Sequence, residues 1–389
     1  FDALGWDVAN RAGHAEAYKD VIHEDAITIG GYTKAPDYCF RIGGARKFFL
    51  EAKKPSTNIK DEPSPAYQLR RYAWSAKLPL SILTDFEEFA VYDCRARPKD
   101  TDKPTVGRAF YCTFREYATR WDEIASTFSK DAVLKGSFDR YAVSDRKRGT
   151  ATVDAEFLAE IEEWRALLAK NLALRNPRLS AHDLNFAVQR TIDRLIFLRI
   201  CEDRGVEHYG SLQALLNGEH IYARLKFLYD QADDRYNSGL FHFKPEKDRA
   251  ETPDTLTPKL KIDDKALKEI IGRLYAPKSP YEFSVFPIEI LGQVYEQFLG
   301  KVIRLTAGHQ AKIEEKPEVK KAGGVYYTPA YIVDYIVAHT VGVLCQSPST
   351  GSGQGKTPKQ ISKLRILDPA CGSGSFLIGA YASLVNYHR

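Results

Sequence analysis

The stretch PDYCFRIGGARKFFLEAKKP, residues 36–55, alternates apolar with polar side chains on both sides of two glycines. That alternation around a short glycine-containing loop predicts an antiparallel hairpin. We expect strands over about Asp37–Ile42 and Arg46–Lys53, joined by Gly43-Gly44-Ala45. In that register Ile42 pairs with Arg46, and Asp37 pairs with Glu51.

The two faces of this hairpin are expected to differ, because successive side chains point to opposite sides of a strand. The face expected to be core carries Tyr38, Phe40, Ile42, Phe48, Leu50 and Ala52. The other face carries Asp37, Glu51 and Lys53. Two opposed carboxylates are destabilising, and Mg²⁺ binds well to one or two carboxylates with water and phosphate oxygens. A metal site is therefore one interpretation of this face, and a surface ladder of salt bridges is the other.

The segment after the hairpin, SPAYQLRRYAW (64–74), predicts a helix near Pro65–Ala76, with Pro65 at the first helical position. Gln68 and Tyr72 are four residues apart and therefore share one face. The neighbouring Arg70 and Arg71 suit either phosphate contacts or a solvated helix face.

The order PD, then ExK, then QxxxY on the following helix resembles the RecB-like branch of the PD-(D/E)xK nucleases. The resemblance covers roughly residues 1–112 and implies a nuclease domain with a mixed sheet. It implies that Asp37 and Glu51 are metal ligands and that Lys53 is the catalytic lysine. Gln68 and Tyr72 would support the lysine or the DNA backbone, and Glu24 could be the further acidic residue that some members carry.

A second motif, KLRILDPACGSGSFLIGAY (363–381), predicts a strand, a glycine-rich turn and a helix. Ile366 and Leu367 are expected to end a buried strand, with Asp368 at its carboxyl edge, where ligands bind in open α/β sheets. Gly372 and Gly374 allow the backbone to approach a ligand closely. A phosphate or dinucleotide is a competing ligand, but no GK[ST] follows the glycines, which disfavours a P-loop.

DPACGSGSF resembles motif I of adenine-N6 DNA methyltransferases, and GGVYYTPAYIVDYIV (323–337) resembles their motif X. The resemblance implies the start of a Rossmann-like methyltransferase domain over residues 306–389, with S-adenosylmethionine as cofactor. The residues implied to contact it are Tyr327, Thr328, Pro329, Asp368, Pro369, Ala370, Cys371, Gly372, Ser373 and Gly374. The family's catalytic (D/N)PP(Y/F) motif is expected after motif I, whereas the only Asn-Pro here, Asn176-Pro177, precedes it.

Between these motifs, residues 113–305 are expected to form a helical connector. Five apolar residues recur at helical spacing and predict one buried face, with Gly205 as a cap after it: Leu184, Val188, Ile192, Leu195 and Leu198. The run RICEDRG (199–205) predicts a cluster of salt bridges at that helix end. SPSTGSGQGKTP (347–358) is typical of a flexible loop.

Composition sets the broad class of the protein. A net charge of +5 permits an anionic partner such as nucleic acid. The six cysteines form no CxxC pair and no pair with histidine, which indicates a reducing cytoplasm and no structural zinc. No stretch is apolar for long enough to predict a membrane span. Because the chain lacks even an initiator methionine, we expect it to be a fragment of a longer protein.

Nuclease, helical connector and adenine methyltransferase, in that order, resemble the single-chain type IIG restriction–modification enzymes. This resemblance implies an α/β multidomain enzyme that acts on double-stranded DNA with Mg²⁺ and S-adenosylmethionine, and that associates transiently with itself to cut both strands. Two alternatives stay open: a subunit of a type I-like system, for which no Walker A motif is present, and a DNA-binding antiphage scaffold that senses S-adenosylmethionine.

Overall fold

The computed structural model describes most of the chain. The described residues are 1–389 except 17–18, 24–27, 30–31, 34, 139–151, 237, 247–251, 288–289, 291, 293–299, 317–327, 329, 347–355, 372–373 and 388–389. Glu24 and most of the loop predicted over 347–358 therefore lie outside the described residues. Among the helices that are described, each is too short or too polar to cross a lipid bilayer.

A six-stranded mixed sheet organises the first part of the chain. Its strands, in spatial order, are β1 (Val21–His23), β4 (Tyr38–Ile42), β5 (Ala45–Ala52), β6 (Leu80–Thr84), β7 (Glu88–Asp93) and β8 (Arg108–Thr113). Only the β5–β6 pair is parallel, and α1 (Pro63–Ser75) provides the crossover that a parallel pair requires. Two short strands, β2 (Thr28–Ile29) and β3 (Tyr32–Thr33), pair with each other.

The predicted hairpin is confirmed, with a shift near its turn. Its outer pairs are as expected: Tyr38 with Leu50, Cys39 with Phe49, and Phe40 with Phe48. An irregularity between Phe40 and Arg41 then shifts the register, so Ile42 pairs with Ala45 and not with Arg46. The loop is therefore two residues long, with Gly43 and Gly44 at φ values of 57° and 82°. This left-handed backbone suits a tight hairpin turn and is easily adopted by glycine.

Both faces of the hairpin are buried, although only one was predicted to be core. Phe40, Phe48 and Leu50 belong to the expected core, while Ala52 is exposed. On the opposite face, Cys39 and Phe49 are fully buried in a second core beneath α1. The sheet is covered on two sides because a parallel pair requires a crossover helix over one face.

The helix α1 begins at Pro63, two residues before the predicted Pro65. Both arginines of α1 have partners elsewhere in the chain, so neither lies on a fully solvated helix face. Arg70 is 2% exposed and forms an ion pair of 2.8 Å with Asp102. Arg71 lies 3.4 Å from Glu282 and donates a hydrogen bond to the carbonyl of Tyr281. Both side chains therefore hold α1 to other parts of the fold; Arg70 is buried, and the Arg71 side chain is 13% exposed.

The helical region contains seven described α-helices up to Gly272: α2 (Trp121–Phe128), α3 (Lys130–Leu134), α4 (Val153–Arg175), α5 (Ala181–Asp203), α6 (Ser211–Ala214), α7 (Ile221–Arg235) and α8 (Asp264–Gly272). Ser180 caps α5 by accepting a hydrogen bond from the Asp183 amide. The five apolar positions predicted on this helix are all buried, and Gly205 follows it with φ 67°. The predicted face and cap are therefore confirmed.

The sheet and the helical region pack into one compact unit, Phe1–Pro287 with Ile303–Ile313. Trp74 of α1 stacks on Tyr281, with 5.7 Å between ring centroids, and Val285 lies in the core beneath the sheet. The predicted domain limits at 112/113 and 305/306 remain predictions.

The second unit, Ile288–Val302 with Glu314–Arg389, has its own apolar core. Its described helices are α9 (Ala330–Val337), a π-helical turn (Ala338–Gly342), α10 (Val343–Gln346), α11 (Pro358–Ile361) and α12 (Ser375–Tyr387). The strands β9 (Lys301–Leu305) and β10 (Ala311–Glu315) form a two-stranded sheet, most of whose residues belong to the first unit. Gly379 of α12 lies against α9, where an added Cβ would come within 3.1 Å of Val333.

The buried strand predicted to end at Ile366 and Leu367 is not present. These residues are 42% and 86% exposed and have no regular secondary structure. A strand needs a neighbour to satisfy its backbone hydrogen bonds, and the described residues of this unit provide no strand beside this segment. The predicted helix after the turn is confirmed as α12.

The predicted cluster of salt bridges at the end of α5 is present and buried: Arg199 pairs with Asp203 and lies 3.6 Å from Glu202. Its contribution to stability can be compared with that of an exposed ion pair of the same spacing. Arg199–Asp203 and Lys135–Asp131 are both four residues apart and 2.6 Å long, but the first pair is at most 1% exposed and the second about 70% exposed. Removing one partner of a buried pair leaves an uncompensated charge and costs about 3–5 kcal/mol. An exposed helical pair contributes only about 0.3–0.5 kcal/mol.

We therefore expect Asp203→Ala to lower the free energy of unfolding by about 3–5 kcal/mol, and Asp131→Ala by about 0.5 kcal/mol or less. Urea denaturation followed by circular dichroism measures both. Similar losses in the two variants would contradict a structural role for the Arg199 cluster.

Candidate active site

Four of the predicted nuclease residues meet where β5 leaves the sheet and passes under α1. Glu51 lies on β5, Lys53 directly follows this strand, and Gln68 and Tyr72 lie one turn apart on α1. The backbone amide of Lys53 donates to the carbonyl of Thr84, the last residue of β6. The parallel pairing of β5 with β6 therefore places the lysine at the end of the sheet, below the helix.

A hydrogen-bond network joins these side chains. Lys53 Nζ lies 2.6 Å from Glu51 Oε1 and 3.2 Å from Gln68 Oε1. Gln68 Nε2 donates to the same Glu51 oxygen at 2.9 Å and to the Tyr72 hydroxyl at 3.5 Å. The amide of Gln68 thus contacts both the carboxylate and the lysine, and it fixes their relative positions.

Asp37 precedes β4 and is half-buried beside this network. Its Oδ2 accepts a hydrogen bond of 2.8 Å from the backbone amide of Ala52, the residue between Glu51 and Lys53. This bond holds the Asp37 carboxylate at the end of the hairpin. The structure therefore brings all five predicted residues together.

Glu51 is the most constrained group in the site. It is 1% exposed, and its Oε2 is buried without a hydrogen-bond partner among the described residues. The pKa of Glu51 is raised to about 7, chiefly because the carboxylate is buried; the Lys53 charge opposes this rise, and the Asp37 charge contributes to it. Buried carboxylate oxygens without a partner are rare because they lose the hydrogen bonds of water.

A divalent cation fits this donor set. Glu51 Oε2 has an open coordination position, and a second carboxylate, Asp37, lies beside it. Hard cations such as Mg²⁺ prefer carboxylate oxygens and complete their shell with water. These two residues would hold the ion, and the ion would supply Lewis-acid chemistry toward a phosphate oxygen.

Glu282 is a buried acidic residue near the site that the sequence did not indicate. It is 1% exposed, its amide donates to Ser75 Oγ at the end of α1, and its carboxylate pairs with Arg71. Burial raises the pKa of Tyr72, and the Glu282 charge adds to that effect. Tyr72 therefore stays protonated and can serve as a hydrogen-bond donor. No local pattern could have revealed Glu282, because it lies more than 200 residues from its partners.

The residues predicted to contact S-adenosylmethionine are described only in part. Tyr327, Pro329, Gly372 and Ser373 lie outside the described residues. Thr328 is half-buried just before α9. In the turn before α12, Asp368 Oδ1 accepts a hydrogen bond from the Ala370 amide at 3.1 Å. Pro369, Ala370 and Cys371 are exposed, and Gly374 has a left-handed φ of 79°.

Two family models match the parts of the chain that contain these motifs. Residues 16–100, which include the nuclease network, match the N terminus of the type I restriction enzyme R protein. Residues 287–388, which include the glycine-rich turn, match the N-6 DNA methylase family. The fold therefore combines a restriction-nuclease domain with an N6-methylase domain.

The curated relatives carry both functions in their names. The chain is 38% identical, over 98% of its length, to the type II restriction enzyme and methyltransferase RM.Eco57I of Escherichia coli, and it covers 36% of that protein. It is 24% identical over 74% of its length to RM.MjaORFECS2P of Methanocaldococcus jannaschii, of which it covers 28%. The chain thus belongs with the type II restriction–modification enzymes and spans about a third of the length of these relatives.

A solved structure, that of the type IIG restriction endonuclease BpuSI, aligns with 94% of this chain and 34% of its own. The identity is 14% and the TM-score is 0.27.

We expect Mg²⁺ binding at this site to depend on the orphaned oxygen of Glu51. Glu51→Ala removes the buried ligand and should abolish the binding heat measured by isothermal titration calorimetry with Mg²⁺ alone. Glu87→Ala, which removes an exposed carboxylate from the loop before β7, should titrate as the unaltered protein does. Undiminished Mg²⁺ binding in Glu51→Ala would show that the ion binds elsewhere.

Proposed function

We propose that the first unit is a Mg²⁺-dependent DNA endonuclease of the PD-(D/E)xK type. The observation that carries this proposal is the buried Glu51 Oε2, which has no hydrogen-bond partner among the described residues and lies beside Asp37 and Lys53. A surface ladder of salt bridges, the alternative interpretation, would leave both carboxylate oxygens in water. Here Glu51 is almost wholly buried, so this alternative loses its support.

The residues of this chain would divide the work of phosphodiester hydrolysis. Asp37 and Glu51 would hold the cation, which polarises a phosphate oxygen when it is bound. Lys53, half-buried at the end of β5, would orient the attacking water or stabilise the negative charge that develops on the phosphoryl oxygens. Gln68 would keep the lysine in place, and Tyr72 would support Gln68 by accepting a hydrogen bond from its Nε2. Double-stranded DNA is the proposed substrate.

We further propose that the second unit is the beginning of an adenine-N6 DNA methyltransferase that uses S-adenosylmethionine. The match of residues 287–388 to the N-6 DNA methylase family supports this proposal. So does the left-handed Gly374 immediately before α12, because glycine at a turn before a helix allows a ligand to approach the backbone. The whole protein would then cut DNA and methylate adenine.

A nuclease subunit of a type I-like system is the second candidate, because residues 16–100 match the N terminus of a type I R protein. Cleavage by such systems would depend on ATP. A plasmid assay with Mg²⁺, with and without ATP, separates the two candidates. We expect ATP-independent cleavage by the intact protein, whereas a scaffold with an inactive nuclease would not nick the plasmid in either condition.

We expect Lys53→Ala to reduce the cleavage rate by about 10²–10³, the usual cost of losing one donor to a developing charge. Lys54→Ala is the matched control, because Lys54 has the same charge but is exposed and takes no part in the Glu51–Gln68 network. Electrostatic attraction to DNA should fall equally in both variants. Single-turnover cleavage measures the rate, and a filter-binding assay measures DNA affinity.

In the same preparations, methylation of adenine should persist in Lys53→Ala. Equal loss of cleavage in Lys53→Ala and Lys54→Ala would show that Lys53 acts only through its charge. The assignment of Lys53 as the catalytic lysine would then be wrong.

We expect Asp368→Ala in the intact protein to weaken S-adenosylmethionine binding at least tenfold, as measured by calorimetry. The substitution removes the carboxylate that shapes the turn through the Ala370 amide. Asp368→Asn keeps an acceptor for that amide and should lose less affinity. Lys359→Ala, an exposed change on α11, is the control. Unchanged affinity in Asp368→Ala would place the cofactor away from this turn.

A further inference from the structure

Three metal-ligating side chains converge in the helical region, on the stretch DDRYNSGLFHFKPE, residues 233–246. Asp233 lies in the last turn of α7, and His242 and Glu246 lie in the segment that follows this helix. One imidazole nitrogen and one carboxylate oxygen from each acid all lie within 4.8 Å of one another. None of these residues belongs to the nuclease network or to the glycine-rich turn.

His242 is the unusual member of this cluster. It is 2% exposed, yet neither Nδ1 nor Nε2 has a hydrogen-bond partner among the described residues. Buried polar groups in folded proteins nearly always have a partner, so an orphaned imidazole requires an explanation. One of its nitrogens faces two carboxylates, which is the arrangement that a cation would complete.

The position of Asp233 supports the same explanation. Its Oδ2 accepts a hydrogen bond of 3.0 Å from the Phe243 amide. Its Oδ1 is buried and has no partner in the described part of the chain. The carboxylate is therefore oriented by one oxygen and leaves the other for a ligand, as outer-shell hydrogen bonds do in metal sites.

The loop that carries His242 is held in place by its backbone. The amide of Asp254 donates to the His242 carbonyl at 2.7 Å, and Arg194 Nε donates to the Leu240 carbonyl at 2.9 Å. Arg194 is itself 1% exposed and paired with Asp254. Glu246, in contrast, is exposed. Ligand atoms about 2.1 Å from a zinc ion lie about 3.4 Å apart, and the three ligand atoms here all lie within 4.8 Å of one another.

We propose that Asp233, His242 and Glu246 bind one divalent transition-metal ion of the zinc class, which pins the loop after α7 to this helix. Imidazole favours borderline ions such as Zn²⁺ over Mg²⁺. The two carboxylates would neutralise the charge of the bound Zn²⁺. Water would occupy the fourth position. The sequence had indicated no structural zinc, but that expectation considered only cysteine-containing pairs, and this site contains no cysteine.

The test uses the intact protein with Glu51→Ala as background, so that the proposed nuclease site does not contribute. After removal of metals with a chelator, Zn²⁺ alone is titrated by calorimetry, and thermal unfolding is recorded with and without Zn²⁺. We expect one equivalent to bind and the unfolding midpoint to rise by several degrees. Glu246→Gln, an exposed change that leaves the core intact, should weaken binding at least tenfold and abolish the shift.

Asp233→Asn should have the same effect, whereas Asp234→Asn is the matched control, because Asp234 is the exposed neighbour of Asp233 and should bind zinc normally. His242→Ala, which removes the proposed imidazole ligand, should also weaken zinc binding. Absence of zinc binding in the background protein would overturn the proposal. An equal zinc affinity in Glu246→Gln, Asp233→Asn and Asp234→Asn would overturn it too.

Discussion

The burial of a carboxylate at the end of a β-strand is the constraint on which the nuclease site depends. An ionised carboxylate in a protein interior is costly unless neighbouring charges and hydrogen bonds offset the loss of water. At Glu51 only one carboxylate oxygen recovers hydrogen bonds. Lys53 and Gln68 both contact Oε1, whereas Oε2 has no hydrogen-bond partner among the described residues. A buried Glu51 Oε2 without a hydrogen bond is energetically unfavourable, and a bound cation would remove this penalty. The same unpartnered oxygen therefore destabilises the metal-free site and provides the proposed metal ligand.

The contact between Gln68 and Glu51 Oε1 depends on the position of α1 over the sheet, because Gln68 lies on this helix. The crossover between two parallel strands places α1 on this face, and two arginines fix its orientation. Arg70 and Arg71 find their acidic partners in Asp102 and Glu282, outside the helix. Buried ion pairs of this kind add little stability relative to apolar packing, but breaking one is costly. The helical region is thus part of the support of the site.

The two units differ in how much of their proposed site is assembled in the described residues. In the first unit all five side chains are in contact with one another or with the adjacent backbone. In the second, the helices α9 and α12 pack closely at Gly379, but the segment before the glycine-rich turn is exposed and irregular. A strand is stabilised by its neighbours, whereas a helix satisfies its own hydrogen bonds. This difference explains why the helices of the motif are formed and the strand is not.

The sequence by itself determined the features that depend on local periodicity. Alternation around two glycines indicated the hairpin, the four-residue spacing placed Gln68 and Tyr72 on one face, and helical spacing identified the buried side of α5. Local patterns become visible in this way because side-chain direction repeats with the backbone geometry. Resemblance to nuclease and methyltransferase motifs then suggested the chemistry.

Only the tertiary structure decided the features that join distant parts of the chain. It shifted the register at Phe40, buried the second face of the hairpin, and paired Arg71, for which the sequence left phosphate contact or a solvated face open, with Glu282. Within the shorter stretch 233–246, the fold of the chain also brought Asp233, His242 and Glu246 together, although their spacing matches no familiar motif. Burial and ion pairing depend on which segments pack together, and no window of neighbouring residues contains that information.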